Sequence, residues 1–146
     1  MQAGLVFIAG HAGKMVVTSA ITPAVQSTIA ILTSIRSQAD ATITLQQVIA
    51  KHDITCTLQT IEVTCLAIKC DKEPLKTASE HVVAGVHAIH QLFTRIADIT
   101  ASHKAGYISR WRQLVLDSEI EQLEGLMDIL RNRFKLMCDI RSVVER

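Results

Sequence analysis

Aromatic side chains are scarce in this 146-residue chain: three Phe, one Tyr and one Trp, 3% of the total. Interior volume must therefore come from Ile, Leu, Val and Ala, which suits helix packed on helix. Proline is almost missing as well. Only Pro23 and Pro74 occur, and both stand where helices should change over. No low-complexity tract or repeat of solenoid length is visible, which excludes fibrous and solenoid architectures. A formal net charge of +1 removes the global field that would draw in nucleic acid or acidic lipid. A secretory leader is not expected either, because no charged side chain precedes Leu5 and Lys14 interrupts the apolar run. Four cysteines, Cys56, Cys65, Cys70 and Cys138, sit in apolar or helical surroundings rather than a loop-rich frame. Free thiols in a reducing compartment, and so a cytoplasmic location, are the expectation.

What is present is apolar bulk. Hydrophobic residues make up 49% and charged residues 20%, which excludes disorder and is enough for one core in one domain spanning residues 1–146. Charge is unevenly spread, with Lys14 the single charged side chain in the first 35 residues. An apolar helix is expected at about residues 3–19, ending near Thr22-Pro23. Pro23 would then open a second segment reaching Ile35, since the first turn needs no amide donor. Segment 41–70 carries Ile43, Val48, Ile54, Leu58, Ile61, Cys65 and Ile68 on a roughly helical stripe. Its Thr and Ile content makes a strand a competitor, but thirty residues without Gly or Pro is too long for one. A break near His52-Asp53 fits the pattern.

After the turn Cys70-Asp71-Lys72-Glu73-Pro74, the residues Leu75, Ala78, Val82, Val86, Ile89, Phe93 and Ile96 recur every three or four positions. That predicts an amphipathic helix of about six turns, closed by a basic loop at Ser102-His103-Lys104-Ala105-Gly106. The last helix should begin at Asp117-Ser118-Glu119, with Ser118 and Glu121 in capping-box register. Its acids lie toward the N-terminus and its bases toward the C-terminus, as the macrodipole favours. Ile120, Leu123, Met127, Leu130, Phe134 and Met137 form a near-heptad stripe that needs a partner helix. The fold class read from these patterns is all-α, a single-domain bundle of four to six helices.

Chemistry finds little purchase. Gly10-His11-Ala12-Gly13-Lys14 resembles a nucleotide-binding loop only superficially, because Ile8 stands at the required Gly and Met15 at the required Ser or Thr. His87 and His90 could share a helix face with Glu80 two turns earlier, but a zinc site needs further ligands. Half-exposed neighbours of the apolar stripe are the plainer reading of that pair. The cysteines and histidines form no local nucleophile signature, and the densest acidic cluster is explained by capping a helix start. No enzyme activity, metal, cofactor, small-molecule substrate or nucleic-acid partner is expected.

Two stretches could make contacts. Lys104, Arg110, Trp111 and Arg112, with Tyr107 interleaved, could touch anionic lipid headgroups or a nucleic acid, but a solvated connector anchored by its Trp is the plainer reading. The start LVFIAGHAGKMVV, residues 5–17, is almost uncharged, and Ala9 and Gly13 have the small-xxx-small spacing of close helix contacts. It reads either as buried bundle core or as a helix held in the fold and released to a bilayer.

That apolar start, the amphipathic middle, and the closing RWRQLVLDSEIEQLEGLMDILRNRFKLMCDI of residues 110–140 together resemble the HeLo-like N-terminal domains of fungal STAND-type and related cell-death proteins. The resemblance implies a helical bundle that executes or relays regulated cell death by assembly. Leu5, Val6, Phe7 and Ile8 would be its membrane-seeking face, with recruitment to the plasma membrane. A second reading is a helical interaction module, self-associating or taking a helical protein partner, that never touches lipid. Its motive is the stripe Ile120, Leu123, Met127, Leu130, Phe134 and Met137.

Overall fold

A computed structural model describes residues 13–37, 43–68, 72–106 and 114–144, with side chains from residue 19 onward. Five helices account for almost all of them: α1 (Gly13–Arg36), α2 (Ile43–Lys51), α3 (Ile54–Ala67), α4 (Leu75–Ala105) and α5 (Asp117–Val144). No strand occurs among the described residues. The chain is an all-α bundle. Helix α4 is its spine, with α1 and α5 packed along it, α3 laid on α1, and α2 reaching α5.

Pro23 does not start a helix. Helix α1 runs through it, and the boundary expected at Thr22-Pro23 is absent. A proline inside a helix costs about 3 kcal/mol through its missing donor and its ring. Ile21, Ala24, Val25, Thr28, Leu32 and Ile35 are all buried on either side of it, and that continuous inner face offsets the cost. Pro23 itself is exposed. Thr28 satisfies its buried hydroxyl by donating to the Ala24 carbonyl at 2.6 Å.

Segment 41–70 divides where His52-Asp53 suggested. Asp53 takes a left-handed conformation, φ 46° and ψ 52°, which acidic residues tolerate better than branched ones. The corner turns the stripe so that Val48, Ile54, Leu58, Ile61, Cys65 and Ile68 are buried together with Leu45 and Ile49. Ile43 is the exception at 76% exposed, because it is the first residue of α2 and projects away from the bundle.

Helix α4 buries every residue of its predicted stripe and is longer than the stripe implied, continuing through Ser102, His103 and Lys104 to a stop at Gly106. The expected basic loop is therefore helical up to Ala105. At its other end, the Glu73 carboxylate accepts the Thr77 N–H at 3.0 Å and the Thr77 hydroxyl at 2.7 Å. These bonds hold the Glu73 carboxyl below its ordinary pKa. In α5 the capping box is not formed: Asp117 is already helical, and the Ile120 N–H bonds the Leu116 carbonyl at 2.8 Å. Leu116, 1% exposed, fixes the start of the helix by packing instead, and the Ser118 hydroxyl accepts a bond from the Gln122 amide.

Candidate interaction site

The residues predicted from sequence fall in three places. Leu5, Val6, Phe7 and Ile8, and likewise Arg110, Trp111 and Arg112, lie outside the described residues. Lys104 occupies the last turn of α4 and is exposed. Ile120, Leu123, Met127, Leu130 and Met137 are buried, with Phe134 half-buried against the same core. Their partner helix is α4 of the same chain. The stripe read as a face for another molecule is therefore occupied within the fold: a near-heptad spacing demands a helix but does not say whose. Gly85 of α4 allows the close approach, since a Cβ there would meet the Leu130 Cδ1 at 3.0 Å. Ser79 adds a polar tie, its hydroxyl donating to the Met137 sulfur at 3.4 Å.

His87 and His90 sit half-buried on α4. Burial, and secondarily the charge of His90, pushes the His87 pKa down. Among the described residues no three His, Cys, Asp or Glu side chains are grouped to hold a metal ion. Cys56 is exposed and Cys138 partly buried, both free thiols, and burial raises the Cys138 pKa.

The outward side of α5 is different. At about 100° per residue, positions 129, 136 and 143 lie opposite the buried seam. They are filled by Ile129, Leu136 and Val143, respectively 45%, 56% and 66% exposed. Leu126, Arg133 and Ile140, three residues before each, are half-buried along one edge of this line. The two sets alternate by three and four residues, which is the spacing of a coiled-coil seam. On the opposite edge stand Glu121, Asp128 and Asp139, with Lys135 bound to Asp139 at 3.1 Å. Arg133 is held in place by a bond from Nη1 to the His81 carbonyl at 3.0 Å, and Arg95 donates to Gln122 nearby. Helix α5 thus carries an apolar seam filled by α4 and an outward apolar line, Ile129, Leu136 and Val143, bordered by Arg133.

The outward seam was legible in principle. Ile129, Leu136 and Val143 are seven apart, but the stripe on the opposite face is longer and more regular. A third flank of α5 could not be found from sequence at all. There Glu124 accepts from Lys51 at 3.2 Å, and Arg131 reaches His52, 79 positions away. The bonds from Lys51 and His52 hold the Glu124 carboxyl below its ordinary pKa.

No family model, curated protein or solved structure matches the chain. Among the described residues no helix is long and apolar enough to cross a membrane.

Proposed function

We propose that the chain is a helical assembly module that pairs with a second copy of itself through the outward seam of α5. The observation that carries this reading is the line Ile129, Leu136 and Val143, exposed at seven-residue spacing on a helix whose inner face is already filled. Scattered apolar residues are normal on a surface, whereas a heptad line over two repeats matches the face of another helix. A second copy suits the charges. In a parallel two-fold pair each edge of the seam meets the opposite edge of the partner. Asp128 then faces the edge carrying Arg133, while Asp139 is already paired with Lys135. Opposite charges flanking an apolar seam set orientation and partner choice. Light scattering across concentration tests the reading: mass should rise toward that of a dimer, and a strict monomer at every concentration overturns it.

The HeLo-like resemblance gives the same module a setting, assembly in regulated cell death. Its membrane arm rests on the composition of residues 5–17. Liposome leakage, compared between the native chain and one with Leu5, Phe7 and Ile8 made polar, tests that arm. Equal leakage from both, or none under assembling conditions, removes it.

A further inference from the structure

We infer that His52 is a proton-operated latch that holds the α2–α3 corner against α5. Its ring is buried, 8% exposed, and sits at the left-handed corner formed with Asp53. Arg131 of α5 grips the residue twice. Its Nη1 lies 2.7 Å from the imidazole Nδ1, and its Nη2 donates to the His52 carbonyl at 2.7 Å.

A guanidinium has donors and no acceptor. Nδ1 must therefore carry a lone pair, and the ring proton must sit on Nε2, directed at Glu124 Oε2, 3.5 Å away. The latch is closed with a neutral imidazole in this one tautomer. A second proton can go only to Nδ1. There it meets the Arg131 N–H head on, donor against donor and cation against cation, and the bond is lost.

The charged groups facing the ring are Arg131 and Glu124 from α5, and Lys51 and Asp53 beside it on its own corner. Glu124 would favour a protonated ring, but its carboxylate is shared with Lys51 at 3.2 Å. Arg131, closer and doubly bonded, opposes it. A histidine released to solvent ordinarily takes its second proton between about pH 5 and pH 8, so mild acid favours the open corner.

The piece released is α2. It has nine residues, too few to persist as a helix without tertiary support. It contributes Leu45, Val48 and Ile49 to the core, and the neighbouring Asp53 holds a sparsely populated backbone conformation. Helices α1 and α5 each pack along α4 through contacts that do not involve α2. Opening is therefore local and exposes the Glu124–Arg131 flank of α5.

Amide hydrogen exchange on the full chain, corrected for intrinsic rates, tests this between about pH 7.5 and about pH 5. Protection of the α2 amides should fall on the order of tenfold while that of α4 holds. His52→Gln should abolish the fall, because the Gln carbonyl can accept from Arg131 and its amide can donate to Glu124, without titrating. His87→Gln should leave the fall in place. A fall of equal size in His52→Gln, its loss in His87→Gln, or no fall in the native chain overturns the latch. Should His52→Gln not fold, nitrogen-15 imidazole shifts of the native chain decide. The latch requires the Nε2–H tautomer near neutral pH and α2 amide changes that track His52 protonation. The other tautomer, or protonation without α2 changes, contradicts it.

Discussion

Gly85 in α4 and Leu130 in α5 face each other so closely that a Cβ on the glycine would stand 3.0 Å from the leucine Cδ1. Leu130 is fully buried and has little room to retreat. Gly125, by contrast, lies on the exposed side of α5 with nothing within 4 Å of where its Cβ would be. Both glycines carry the entropic cost of a helix interior, but only Gly85 relieves a packing conflict. Gly85→Leu should lower stability by about 1–3 kcal/mol through overpacking. Gly125→Ala should raise it by about 0.5–1 kcal/mol. Urea denaturation of the two variants checks both signs.

Arg131 supplies two bonds to one buried residue. Arg131→Met keeps much of the stem and removes both. Charged hydrogen bonds contribute about 1.5–3 kcal/mol each, and the lost carbonyl partner adds desolvation. Chemical denaturation should show a loss of about 2–4 kcal/mol. Lys51→Met removes only a rim contact, since Lys51 is 69% exposed, and should leave the midpoint almost unmoved.

Acid should destabilise the bundle in two windows. Burial lowers the His87 pKa, so the unfolded chain binds that proton more readily. Stability then falls as pH drops through the ordinary histidine value of about 6.5, and His87→Leu should flatten this part of the profile. Glu73 and Glu124 have depressed values. Their contribution is complete above the ordinary carboxylate range and is lost as pH falls through their lowered folded values. Thr77→Val removes the hydroxyl bond to Glu73 and should weaken this second dependence. Thermal melts across pH read both windows.

The cysteines should separate by reactivity. Cys56 is exposed, Cys138 partly buried with its thiol pKa raised by burial, and Cys65 is 1% exposed. Since the thiolate is the nucleophile, timed alkylation followed by mass spectrometry should modify Cys56 first, Cys138 later and Cys65 only on unfolding.

The sequence displayed its long helices through periodicity, because one buried face repeats every three or four residues. Leu75 to Ile96 in α4 and Ile120 to Met137 in α5 needed nothing else. Pro23 misled because local propensity was outweighed by tertiary burial on both sides of it. Ser118 misled for a related reason, since packing of Leu116 fixes the start of α5 in place of a side-chain cap. The ownership of the α5 stripe was hidden, because spacing specifies a partner helix and not its chain. His52 and Arg131 were out of reach: each is polar and unremarkable locally, and only the fold brings them to 2.7 Å.

In solution α5 is expected to pair with its copy through Ile129, Leu136 and Val143. Sedimentation velocity over a wide concentration range tests it most directly, comparing the native chain, Leu136→Glu, and Val63→Glu. Val63 is an exposed apolar residue on α3, away from the seam. The native chain and Val63→Glu should sediment as dimers, and Leu136→Glu as a folded monomer of unchanged helical content. A native monomer throughout, or a Leu136→Glu variant that still dimerises, would contradict it.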